Sequence, residues 1–180
     1  MQKKSVKTVQ KKEKPKIEIL ASILLEKKSF TDLLTIIDFI KSKDIVIRWD
    51  YRNTWVMSFK RKRVCYIKVI KDSWCLLFFG KYAEGYEPFL ASDKLKDLVW
   101  ESVCYCHCCV QCNPLGMNAN IAGKEFNQVC QNCNLRFENA TGENLKCIKQ
   151  VILWRLNQIN EKKAVNEENI KMKNRKELRG

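Results

Sequence analysis

Apolar positions follow two periods along this chain. Between residues 17 and 43 they recur every three or four residues; between 45 and 79 they alternate with polar ones or run in short apolar blocks. Ile17, Ile19, Leu20, Ile23 and Leu24 fit a short amphipathic helix. Phe30, Leu33, Leu34, Ile37, Phe39 and Ile40 predict a second over about residues 30–43, capped by Ser29 with Asp32 three residues on. Four segments rich in β-branched and aromatic residues come next: Ile45–Trp49, Thr54–Phe59, Arg63–Lys71 and Trp74–Phe79. Short polar breaks separate them, as in an antiparallel meander. The continuous run Leu76–Phe79 predicts a strand buried on both faces. Gly80, Gly85 and Pro88 mark a longer loop, and Asp93–Ser102 reads as a helix. A last long helix starts near Thr141, and its apolar stripe (Leu145, Ile148, Val151, Ile152, Trp154, Leu156, Ile159) thins beyond Glu161.

At 180 residues with 46% hydrophobic content the chain is long enough for one self-sufficient core. No stretch approaches the roughly 20 apolar residues of a membrane span. The start lacks the apolar segment of a secretory signal, so the expected location is cytoplasmic, where thiols stay reduced. The net charge of +14 sits mostly at the ends: residues 1–16 carry seven Lys against one Glu, and 161–180 carry seven Lys or Arg against four Glu. Both segments read as tails, basic and flexible at 1–16, polar and basic at 161–180, flanking one domain over 17–160. Lys outnumbers Arg by 26 to 8, whereas forked recognition of phosphate favours Arg. The charge alone is a weak argument for nucleic acid.

Cysteine changes the picture more than charge does. Eight of the ten cysteines lie between Cys104 and Cys147. Cys109-Val110-Gln111-Cys112-Asn113 and Cys130-Gln131-Asn132-Cys133-Asn134 form two C-x2-C knuckles separated by 17 residues, a zinc-site spacing. Two residues between cysteines let one tight turn aim both sulfurs at one ion, and two turns complete a tetrahedral site. Asn after each second cysteine suits a left-handed turn residue. Cys106 stands in the same register before Cys109, so Cys106, Cys109, Cys112 and Cys130 form an alternative set. Cys104, Cys108 and His107, the chain's only histidine, are spares. An all-thiolate site keeps no open coordination position, so the expected zinc is structural. The run C-x2-C-x2-C with a distal Cys also resembles iron–sulfur ligation, and a dithiol redox pair ranks third.

Lys60-Arg61-Lys62-Arg63 is the densest basic run between the tails. It reads first as a solvated hairpin turn and second as a phosphate-gripping loop. The aromatics nearby (Trp49, Tyr51, Trp55, Tyr66, Trp74) lie at core spacing, and a stacking platform is the second reading for them too. No phosphate-binding glycine loop and no catalytic constellation appears, so the chain is not expected to be an enzyme.

Tyr105-Cys106-x2-Cys109-x2-Cys112-x-Pro114, then Gly123-Lys124-Glu125-x3-Val129-Cys130, resembles the signature of a family of small uncharacterised bacterial α+β proteins. Arg61-Lys62-Arg63-Val64-Cys65-Tyr66-Ile67 upstream is similar to a strand of the same family. The resemblance covers roughly residues 30–156. The chain departs from the pattern at Leu115, inserted before Gly116, and at Cys133. The resemblance implies Cys106, Cys109, Cys112 and Cys130 as ligands, and it implies no activity.

These readings make an α+β domain: a four-stranded antiparallel meander packed by N- and C-terminal helices, with a cysteine-rich zinc-knuckle lobe (104–137) inserted before the last helix. The expected function is a non-enzymatic, zinc-stabilised binding module for nucleic acid or protein, with no membrane partner. The alternatives are a small-molecule sensor with structural zinc, and an iron–sulfur or redox protein.

Overall fold

Tight turns between short strands set the sheet. The computed structural model describes residues 13–78, 93–106 and 116–177, the last segment with side chains through residue 161. Strands β1 (Val46–Tyr51), β2 (Thr54–Phe59), β3 (Lys62–Ile70) and β4 (Ser73–Phe78) pair antiparallel in chain order. Their turns place Asn53, Lys60, Arg61 and Asp72 at positive φ. Lys60 and Arg61 are consecutive at +47° and +64°, the geometry of a two-residue turn whose twist matches that of the flanking strands.

Among the described residues, helices α1 (Ile17–Leu24) and α2 (Lys27–Lys41) precede the sheet, and α3 (Asp93–Glu101) follows β4. Next come β5 (Met117–Ile121), β6 (Lys124–Val129), β7 (Leu135–Glu138) and the long α4 (Gly142–Glu177). β5 and β6 form a separate hairpin. β7 instead joins the main sheet beside β4, in the order β1-β2-β3-β4-β7. The expected four-stranded meander is present, and β7 extends it to a five-stranded sheet. The fifth strand also explains the burial of Trp74, Cys75, Leu76 and Phe78: β4 is an interior strand, with a neighbour on each side.

Alternation divides the sheet into two faces. Trp55, Met57, Cys65, Ile67, Trp74, Leu76 and Phe137 point inward and are at most 3% exposed. They pack with Leu33, Ile36, Ile37 and Ile40 of α2 and Ile148, Val151, Ile152 and Trp154 of α4 in one continuous core. Burying each large side chain contributes about 1.5–3 kcal/mol. Cross-strand register puts the opposite set, Arg48, Val56, Tyr66, Leu77 and Arg136, in one row on the outer face.

Two local expectations are corrected. In α1 the buried face is Ile17 and Ala21, while Ile19 and Ile23 are 58% and 73% exposed. Their apolar spacing fits a helix but does not fix which side of it meets the sheet. Ser29 is not a cap: α2 begins a turn earlier at Lys27, with Glu26 at the cap position, because only Leu25 and Glu26 separate it from α1. The polar, basic segment after Glu161 is helical as well, since the last helix continues to Glu177. That stretch is rich in Glu and Lys, which favour helix without an apolar stripe. No helix among the described residues is long and apolar enough to cross a membrane.

Candidate metal centre

Three extended segments meet at the cysteines. The stretch after α3 runs between the end of β6 and the start of β7, and backbone bonds fix it on both sides. Toward β7, the Cys104 N–H donates to the Asn134 carbonyl (2.8 Å), and Arg136 donates to Ser102 (2.8 Å). Toward β6, Cys130 donates to the Cys104 carbonyl (2.8 Å), and Cys106 donates to Gln128 (2.7 Å). Antiparallel bridges Val103–Leu135 and Tyr105–Val129 confirm the two pairings. The Cys130–Cys133 knuckle is thus the turn that carries the chain from β6 to β7, and it brackets Cys104.

Side-chain alternation then puts Cys104 and Cys106 on one side of their extended segment. Cys106 and Cys130 form a small buried cluster of their own, 3% and 9% exposed, and Cys104 and Cys133 pack against it. Cys133 donates to the Leu135 carbonyl at 3.5 Å. A hydrogen bond with the Cys104 thiol, then burial, then the charges of Cys104 and Cys130 push the Cys133 thiol far above its ordinary range. Crowded thiolates repel one another, and a bound cation inverts that balance. The donor set is all sulfur, which suits zinc or an iron–sulfur cluster over hard cations.

Of the expected ligands, Cys106, Cys130 and Cys133 come together here, whereas Cys109 and Cys112 lie outside the described residues, as do His107, Cys108, Asn113 and Pro114. Among the described residues no group of three or more His, Cys, Asp or Glu is placed to hold a metal ion, so a zinc-knuckle lobe is not formed by them alone. Cys104, read from the sequence as a spare, sits at the centre of the junction. The signal for it was the Cys104-x-Cys106 alternation in an extended stretch. Asn134 is not left-handed, as the knuckle pattern had implied. It lies in the β7 pairing register, donating to Phe78 (3.0 Å), and is fully buried.

The surroundings tie this junction to the core. Gly116 (φ +75°) lets the chain pass so close to Gln128 that an added Cβ would lie 2.4 Å from its backbone carbon. Ile121, Phe126 and Val129 of the β5–β6 hairpin pack into the main core. Trp100 of α3 donates to the Ile121 carbonyl (2.9 Å), and the Lys124 ammonium stands 5.0 Å over its ring. Beside Cys104 a pocket of about 460 Å³ is lined by Glu101, Tyr105, Arg136 and Glu138 among others. Two other described cysteines are unlike this group: Cys65 and Cys147 are fully buried in the core, and burial raises both thiols, Cys147 to about 12.

The basic run is split. Lys60 donates to Asn160 of α4 at 2.6 Å and lies over Phe59 (5.1 Å). Arg61 shares the turn, and Lys62 and Arg63 open β3. The Arg63 guanidinium lies 6.0 Å from the Tyr66 ring. Among the aromatics, Trp55 and Trp74 are core, whereas Tyr51 is 52% exposed.

No family model, no curated protein and no solved structure matches this chain. The site is therefore read from its own chemistry.

Proposed function

We propose that the chain is a non-enzymatic binding module whose cysteine-rich segment is stapled by a structural zinc ion. The observation that supports this is the junction itself: backbone bonds gather Cys104, Cys106, Cys130 and Cys133, from two segments remote in sequence, into one all-sulfur cluster. The zinc is held by thiolates drawn from Cys106, Cys130 and Cys133 with Cys109 and Cys112, and Cys104 is added to the candidates by its position. Bound there, a closed four-coordinate zinc supplies folding free energy and no Lewis-acid chemistry.

Metal and thiol content, measured on protein purified anaerobically without chelator, test the reading. One zinc per chain is expected, with about four thiols protected until chelator is added. Cys130→Ser loses the metal, whereas Cys65→Ala and Cys147→Ala keep it. Iron with labile sulfide transfers the site to a cluster protein, and a metal-free chain with every thiol reactive overturns the proposal.

A further inference from the structure

Asn134 combines full burial with an idle side chain. Its N–H donates to the Phe78 carbonyl (3.0 Å), and its own carbonyl accepts from the Cys104 N–H (2.8 Å). Any residue but proline could make both of these backbone bonds. Nor does a left-handed turn call for Asn here, since its φ is not positive. The carboxamide serves neither purpose. Among the described residues, its Nδ2 and Oδ1 are both buried without a hydrogen-bond partner, and no other side chain carries two such atoms. A buried amide left unpaired costs free energy that an apolar side chain of the same branched outline avoids.

Register shows what lies within its reach. The Val103–Leu135 bridge puts Cys104 directly opposite Asn134, and the Tyr105–Val129 bridge puts Cys104 directly opposite Cys130. Residues opposed in this way share one face, with Cβ atoms about 4.5–5.5 Å apart. The three therefore form a row, Cys130–Cys104–Asn134. Val103, Val129 and Leu135 alternate with them and pack into the main core. On the other face, Cys106 and Cys130 make a cluster of their own, and Cys104 and Cys133 pack against it. The buried carboxamide ends a row of sulfur.

A neutral thiol is a poor partner for an amide, because its sulfur accepts weakly and its S–H donates weakly. A thiolate is a good one: hydrogen bonds to an ionised acceptor are about twice as strong as neutral ones. A bound cation deprotonates a coordinating thiol outright. Metal binding at Cys104 would therefore create the acceptor that the amide N–H group needs.

We propose that Asn134 donates through its Nδ2–H group to the zinc-bound thiolate of Cys104, holding that ligand in place and drawing off part of its charge. The inference rests on the zinc reading above and deepens it. It makes Cys104 a ligand, and it makes the residue after the Cys130–Cys133 knuckle a positioning residue for the metal. Outer partners of this kind fix the orientation of metal ligands and tune the metal.

Zinc and cobalt titrations of the full chain, with a chromophoric chelator as competitor, provide the test. Asn134→Leu keeps the branched outline and removes the donor. It is expected to weaken zinc binding about 10- to 100-fold, the usual effect of losing an outer partner. In the cobalt-loaded variant the sulfur-to-metal charge-transfer band moves to longer wavelength, because the thiolate has lost the bond that stabilised its electron pair. Asn134→Asp replaces the donor by a carboxylate that repels the thiolates, and it weakens binding further. In a Cys104→Ala background the Asn134→Leu change has little additional effect, as coupling between the two residues requires. Thermal melts show which variants fold, and Asn134→Asp carries the test if the leucine variant does not. The proposal is overturned by a folded variant that binds zinc as tightly as the parent with an unshifted cobalt band. Equal losses with and without Cys104 overturn it too. A parent that binds neither metal ends the stapled-module reading and this bond with it, whereas zinc held alike by parent and variants removes the bond alone.

Discussion

Asn139 holds Trp74 by two bonds: its Oδ1 accepts from the Trp74 N–H at 2.9 Å, and its own N–H donates to the Trp74 carbonyl at 2.9 Å. Trp74 is the second residue of β4 and Asn139 follows β7, so the pair closes the end of the ladder that adds the fifth strand. Asn139 sits at φ +42°, which Asn tolerates better than most residues.

Asn139→Ala therefore loses an acceptor and introduces backbone strain. It is expected to destabilise the fold by about 2 kcal/mol, lowering the melting temperature by about 4–8 °C. Asn139→Gly keeps the conformation and loses only the acceptor, so it falls between parent and alanine variant. Thermal melts followed by circular dichroism check the order.

Gly116→Ala strikes the Gln128 backbone and forces a side chain into φ +75°. The expected cost is about 1–3 kcal/mol. Because the Gln128 carbonyl holds Cys106 in place, the same change exposes the Cys106 thiol. Faster alkylation of Cys106 under native conditions, mapped by peptide mass, is the expected readout.

Lys60 and Arg61 occupy a turn that asks for Asn and Gly. Lys60→Asn with Arg61→Gly is expected to stabilise the chain by about 1–2 kcal/mol, less the exposed Lys60–Asn160 contact.

The Cys147 thiol bears on alkaline stability. Burial raises it from 9.0 to about 12 in the folded chain. Between those values the unfolded chain has released the proton and the folded chain has not, so its contribution is complete below pH 9 and is lost as pH rises toward 12. Cys147→Ala is expected to flatten the fall in stability over this range, measured as the urea midpoint at each pH.

The local elements were legible in the sequence, and their long-range partners were not. β-branched alternation in Thr54–Phe59 and Cys65–Val69 marked β2 and β3 because both strands bury one face. β7 is four residues long and offers little pattern; its pairing with β4 is a tertiary fact that no local signal carries. The α1 face was misjudged because Ile19 and Ile23 are as apolar as Ile17, and only the sheet decides which side is covered. In the cysteine segment, spacing identified the Cys130–Cys133 knuckle as a turn. The chain that knuckle turns around, and with it Cys104, depended on backbone pairing with a segment outside the motif. Tyr66 alternated like a core residue, and the row of cations beside it emerged only from the register of five strands.

The Ser102–Val103 stretch lies along the open side of β7, and this bears on self-association. Unpaired strand edges template intermolecular pairing. β1, the opposite edge, carries a register break between Trp49 and Tyr51 with Arg48 and Asp50 beside it, features that discourage a docking strand. Among the described residues, the cysteine-bearing segment is what covers β7. Oxidative or proteolytic damage to that segment uncovers a strand edge, so the first visible sign of injury to the cysteines is aggregation of an otherwise folded sheet.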